Sequence, residues 1–359
     1  MNQDLQSVFL SLVRLGIGHI SGPLPEQIDW NVIEAIANQH GLLAVVVDGI
    51  ERLPEHQRPP KALLLEWIGN SLQSYEQRYF LYEKAIGKLA GFYNQHVYKM
   101  MLLKGYACSL DWPIPEHRPC GDIDIWLFGK QKEADAALEA SFKFQDSSSK
   151  IDSSHHHHTV FEWMGFTVEN HYDFVNVHAH KSSKELEVIF KELGTDDSNY
   201  VEVNGEKVYI PPANLHALFL MKHMVSHFVA AEISLRLVLD WAFFVEKHTK
   251  EIDWEWLIGL LEKYHMKDFY NCINAICVGD IGFDVKVFPN NQFNPQLKDI
   301  VLADILTPAY SASEPRGFVK RMVYKYRRWQ GNAWKQRLCY SESRAEMFFK
   351  GLWSHLIGP

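Results

Sequence analysis

The chain has 359 residues, 47% of them hydrophobic, which is enough apolar material for two or three packed units. Its 36 Lys plus Arg against 44 Asp plus Glu give a net charge of −8, which argues against a chain that coats nucleic acid indiscriminately and leaves room only for a local basic patch. Five cysteines without a C-x-x-C pair or a secretory framework fit a reducing cytoplasm. Met1-Asn2-Gln3-Asp4 lacks a basic leader, and no apolar run reaches the roughly 18 to 20 residues that span a bilayer, so neither export nor membrane insertion is expected.

From Leu5 to about Tyr93 the pattern is mostly helical. Val8, Leu12 and Leu15 recur at helical spacing, Asp29 reads as the cap of a helix beginning at Trp30, and Ala62 to Tyr93 reads as one long amphipathic stretch. The proline-bearing segment Leu53 to Pro60 separates the helices of this region. The texture changes near Val97. Met100 to Leu103 reads as a short buried strand running into Lys104-Gly105, followed by a short helix and a proline-rich loop from Trp112 to Pro119.

Gly121-Asp122-Ile123-Asp124-Ile125-Trp126-Leu127-Phe128 comes next, an apolar run with two carboxylates two positions apart, which a strand would place on one face. Paired acids repel and cost desolvation, so an apolar strand keeps them mainly when a cation neutralises them, and Mg²⁺ is the natural candidate. Ala134 to Phe142 reads as a crossover helix and Asp146 to Ser154 as a loop. His158 to Trp163 and Phe166 to His171 alternate around Met164-Gly165 as a hairpin. A helix from Lys184 to Leu193 leads to Tyr200 to Tyr209, where Asn204-Gly205 gives the strongest hairpin signal in the chain. Leu215 to Val229, Leu235 to His248 and Trp254 to His265 form an all-helical C-terminal region, with a loop near Pro289 to Pro295. The expected organisation is a helical subdomain over 1–95, a core over 96–210 and a helical domain over 211–359.

Strand, Lys-Gly, short helix, loop, Asp-x-Asp strand, helix and a hairpin carrying Glu169 resemble the nucleotidyltransferase superfamily. More narrowly, the chain resembles a bacterial group of uncharacterised nucleotidyltransferases with Leu-Lys-Gly, an Arg shortly before Gly-Asp-x-Asp, and a later Val-Glu-x-His strand. Those motifs are Leu103-Lys104-Gly105, Arg118, Gly121-Asp122-Ile123-Asp124 and Val168-Glu169-Asn170-His171. Less specific matches lie at Asp29-Trp30, His223 to His227, Arg236 and Leu239-Asp240. The resemblance implies an α+β core with a small mixed sheet between helical regions. It implies Mg²⁺, or Mn²⁺ in its place, on Asp122, Asp124 and Glu169, and an NTP whose phosphates meet Lys104, Gly105, Arg118 and Gly121. The implied reaction is attack by an acceptor, a small molecule, protein or RNA, on the α-phosphate, with pyrophosphate leaving. Gly105-Tyr106 departs from the superfamily's usual Gly-Ser or Gly-Gly, which removes a serine hydroxyl from the phosphate contacts.

Several features carry a second reading. Glu162, Asp173, Glu185 and Glu187 compete with Glu169 for the third carboxylate. The run His155 to His158 invites a metal site, with an internal loop as the simpler reading, and His171 either lines the site or is structural. His223, His227, Arg236 and Asp240 either face the cleft or form a buried polar clamp, the clamp being favoured. Basic and aromatic residues alternate from Phe318 to Arg337, which on an RNA-directed enzyme would be the acceptor platform and otherwise is a solvated helix. A non-catalytic binding or regulatory protein on the same fold is the other alternative.

Overall fold

The computed structural model describes residues 3–144, 150–155, 157–178, 180–289, 292–310 and 315–342. Helices α1 (Gln3–Gly16), α2 (Trp30–His40), α3 (Leu43–Glu51) and α4 (Lys61–Ser71) come first, and a π-helical turn over Leu72–Glu76 leads into α5 (Gln77–Gln95). Then follow β1 (Met101–Leu102), α6 (Tyr106–Ser109), β2 (Ile123–Trp126), α7 (Gln131–Phe144), β3 (His158–Trp163), β4 (Phe166–His171), α8 (Lys181–Leu193), β5 (Tyr200–Val203) and β6 (Glu206–Tyr209). The chain continues as α9 (Ala213–Ala230), α10 (Leu235–His248), α11 (Trp254–Lys263), α12 (Lys267–Ile276), α13 (Pro295–Leu306), α14 (Phe318–Gly331) and α15 (Ala333–Cys339). The described residues fall into two compact units, one from 3–76, 111–119 and 220–341, the other from 77–110, 120–219 and Glu342.

In the first unit the caps and apolar stripes act as the sequence suggests. Val8 and Leu12 of α1 are buried and Leu15 is half-buried, and the Asp29 carboxylate accepts the Val32 N–H at 3.3 Å to start α2. A Cβ at Gly49 would stand 2.2 Å from the Leu12 carbonyl oxygen, so α1 and α3 meet at backbone contact. The long segment over 62–93 is helical throughout, with a π turn joining α4 to α5. Helices α3 and α12 are buried nearly all round.

Asp240 of α10 lies in this unit's interior. It accepts from Arg118 Nε at 2.7 Å, Arg118 Nη2 at 2.9 Å and Trp112 Nε1 at 2.9 Å. Helix α14 contains no buried residue, and its Phe318, Val319, Met322, Val323 and Tyr326 are exposed beside its basic residues.

The second unit holds a six-stranded mixed sheet in the order β3-β4-β2-β1-β6-β5. β2 runs antiparallel to β1 and parallel to β4, and β3-β4 and β5-β6 are antiparallel hairpins. Both hairpins turn where expected, with positive φ at Met164-Gly165 and Asn204-Gly205. One sheet face packs Ile123, Ile125, Phe161 and Val168 against Tyr82, Ile86 and Leu89 of α5 and Leu138 of α7. Each large apolar side chain buried there contributes about 1.5–3 kcal/mol, which fixes that face inward. This is the α+β architecture expected from the sequence, and the opposite sheet face is left for polar chemistry.

Candidate active site beside strand β2

Period-two alternation decides which side chains share the polar face. In the parallel β2-β4 ladder Asp124 stands opposite Glu169 and Trp126 opposite His171, and in the β3-β4 hairpin His158 stands opposite His171. Asp124, Glu169, His171 and His158 therefore project from one face, while Ile123, Ile125 and Val168 project into the core.

The edge of this face is shaped by the turn after β1. The Leu103 N–H donates to the Asp124 carbonyl at 3.0 Å, and Gly105 then takes φ 62°, ψ −104°. A Cβ on Gly105 would lie 2.6 Å from the Tyr82 hydroxyl, which itself donates to the Asp122 carbonyl at 2.7 Å. Tyr82 thus braces both the Lys104-Gly105 turn and the first acidic residue. Sequence reasoning missed this role because Tyr82 reads as one more apolar position on α5. Gly105→Ala should cost about 3 kcal/mol, combining a disfavoured backbone conformation with the clash. Urea unfolding would measure it, and adding Tyr82→Phe should recover part of the loss. Wild-type stability in Gly105→Ala would refute the close approach. Helix α6 is a single turn.

Lys104 Nζ lies 3.0 Å from Asp124 Oδ1 and 3.7 Å from Asp122 Oδ2. His171 Nε2 lies 3.2 Å from Asp124 Oδ1 and 3.6 Å from Glu169 Oε2. Burial works against charge at Lys104, Asp124, Glu169 and His171, yet their mutual attraction prevails. Burial would lower Lys104, but Asp124, Asp122 and Glu169 raise it. Burial would raise Asp124, but Lys104 and His171 hold it below the usual carboxylate range. Contact with His171, aided by Lys104, brings Glu169 down to about 2, against its own burial. His171 is lifted to about 9 by Asp124 and Glu169 despite burial. The carboxylates are therefore ionised and pre-arranged for a cation. Asp124 Oδ2 is buried without a hydrogen-bond partner, and Asp124, Glu169 and His171 offer ligand atoms within 4.8 Å of one another. An orphaned buried carboxylate oxygen beside a second carboxylate is a donor set that fits a divalent metal.

Two further imidazoles flank this group. His157 and His158 pack at ring-centroid distances of 5.5 and 5.2 Å from His171, and His158 Nδ1 lies 3.9 Å from Glu169 Oε2. Burial, reinforced by His171, pushes His157 down to about 3. Burial is also the main cause that takes His158 to about 4. Both are neutral at physiological pH.

The competing carboxylates are engaged elsewhere. Glu162 accepts from the Thr167 hydroxyl at 2.8 Å, Asp173 pairs with Lys191, and Glu187 accepts the Phe174 and Val175 N–H groups, while Glu185 is exposed on α8. Gly121 is exposed directly before Asp122. Arg118 belongs to the first unit, where Asp240 holds its guanidinium. His223 and His227 pack 4.4 Å apart, and Arg236 Nη1 donates to the Pro119 carbonyl at 3.3 Å. His156 lies outside the described residues.

A mixed sheet with an acidic strand beside a Lys-Gly turn, ringed by helices, has the architecture of an α+β nucleotidyltransferase. A family model described as uncharacterised nucleotidyltransferase matches residues 26–278, and the chain belongs to that family. No curated protein and no solved structure matches it. Membership makes nucleotidyl transfer the activity class and an NTP its substrate, with divalent metals typical of such enzymes. Among the described residues no helix is long and apolar enough to cross a membrane.

Proposed function

We propose that this protein is a Mg²⁺-dependent enzyme of the bacterial cytoplasm that moves NMP from an NTP to an acceptor hydroxyl or phosphate, with release of pyrophosphate. The observation that carries the proposal is the parallel register placing Asp124 opposite Glu169, with Asp122 and Lys104 beside them. Asp122, Asp124 and Glu169 would hold the metal, with Mn²⁺ as an alternate ion. When bound, the metal polarises the reacting phosphate and stabilises the attacking and leaving oxygens. Glu169, beside His171, would align the acceptor's hydroxyl for attack. Lys104 neutralises the β- and γ-phosphates, and Arg118 is assigned to the same task. Gly105 and Gly121 leave the backbone open for close phosphate approach.

A cavity of about 780 Å³ begins one strand repeat beyond Asp124, at Trp126, and is lined by Lys99, Lys132, Tyr172 and Lys191 as well. It has the size of a small-molecule pocket, and we assign it to the acceptor or the nucleoside. The limits 1–95, 96–210 and 211–359 belong to the same proposal.

The test is thermal stabilisation by ATP, GTP, CTP and UTP, each with and without Mg²⁺. A nucleotide at 100 times its dissociation constant should stabilise the protein by about 2.7 kcal/mol, in a Mg²⁺-dependent way. No shift with any nucleotide would instead favour a binding or regulatory protein that keeps the fold.

A further inference from the structure

The oxygen-rich group explains Asp122, Asp124 and Glu169 but leaves two imidazoles on the same sheet face without a task. His157 Nδ1 and His158 Nδ1 are both buried and have no hydrogen-bond partner, and the His158 residue is only 7% exposed. A buried polar nitrogen without a partner is costly, so such a pair points to a ligand rather than to packing. The nitrogens converge: His157, His158 and His171 each offer a ligand atom, and these atoms lie within 4.8 Å of one another. That spread closes onto an ion by modest side-chain rotation, given metal to nitrogen distances of about 2.0–2.1 Å.

We propose that His157, His158 and His171 form a binding site for a transition-metal dication of the Zn²⁺ class, nitrogen-rich where the adjoining carboxylate site is oxygen-rich and sharing His171 with it. Imidazole nitrogen selects Zn²⁺, Co²⁺ or Ni²⁺ over Mg²⁺, whereas carboxylate oxygens accept Mg²⁺ readily. His171 has the orienting contact usual for a metal-binding histidine, its Nδ1 lying 3.2 Å from the Asp173 carbonyl. Glu169, 3.9 Å from His158 Nδ1, is placed to complete the coordination or to orient His158. His155 stays outside the set, exposed and 3.6 Å from Asp152. The proposal does not depend on nucleotidyl transfer, since it concerns affinity for a metal and not turnover.

The experiment is a Co²⁺ titration of the full chain followed by visible absorption, then displacement by Zn²⁺ in the presence of excess Mg²⁺. One equivalent of Co²⁺ should give a ligand-field band of a nitrogen-rich site that Zn²⁺ removes and Mg²⁺ does not. His157→Gln with His158→Gln should weaken binding about 100-fold, while Asp122→Asn should leave it within about threefold. Absent binding, or equal affinity in the double variant, overturns the proposal. If the double variant loses its near-ultraviolet circular dichroism, His157→Gln alone decides, with a fall of about tenfold expected and no fall refuting the site.

Discussion

Asp124→Asn should lower nucleotidyl transfer at least about 1,000-fold, equivalent to roughly 4 kcal/mol of transition-state stabilisation. Asp124 is 1% exposed, lies 3.0 Å from Lys104 and 3.2 Å from His171, and has one carboxylate oxygen with no partner. Asparagine keeps the shape but removes the charge that a metal needs. Losing that charge also leaves Lys104 and His171 less well compensated, so a stability loss of about 1–2 kcal/mol should accompany the activity loss. Asp122→Asn separates the two effects. Its side chain is 44% exposed and farther from Lys104, at 3.7 Å, so transfer should fall with little change in melting temperature. Pyrophosphate release under saturating Mg²⁺ and NTP is the measurement, and wild-type turnover in a folded Asp124→Asn protein would discard the site.

Arg118→Ala should destabilise the protein by about 3–5 kcal/mol, because it strands the Asp240 carboxylate in the interior of the first unit. Lysine cannot replace the fork that meets both Asp240 oxygens, so Arg118→Lys should recover only part of the loss. Arg118→Met combined with Asp240→Leu should recover more than either single change, since no buried charge is left alone. Urea unfolding midpoints would follow the series. NTP affinity of the folded Arg118→Lys protein is the accompanying measurement: a loss supports the phosphate role, and unchanged affinity withdraws Arg118 from that set.

The strands and turns that build the site were legible because their signals are local. Asn204-Gly205 and Met164-Gly165 mark turns by their need for positive φ, and Asp29 marks a helix start by its side-chain oxygen. Register follows from a turn, so the placement of His158 opposite His171 is counted back from Met164-Gly165. The hairpin expected from His158 to His171 has that register. Tyr82 was not legible, because its hydroxyl matters only once α5 lies beneath Gly105 and Asp122, and no periodicity encodes that contact. Nor was the partner of Arg118 fixed by local pattern, with Asp240 standing 122 residues away along the chain.

The two ladders that meet at β4 give the polar face a modular build. The spacing of the carboxylates depends on β2 against β4, whereas the placement of His158 depends on β3 against β4 and on a two-residue turn. Lengthening or shortening that turn by one residue would carry His158 to the opposite face and leave Asp124 and Glu169 in step. Descent with small insertions and deletions can therefore add or discard the imidazole half of such a face without rebuilding its acidic half.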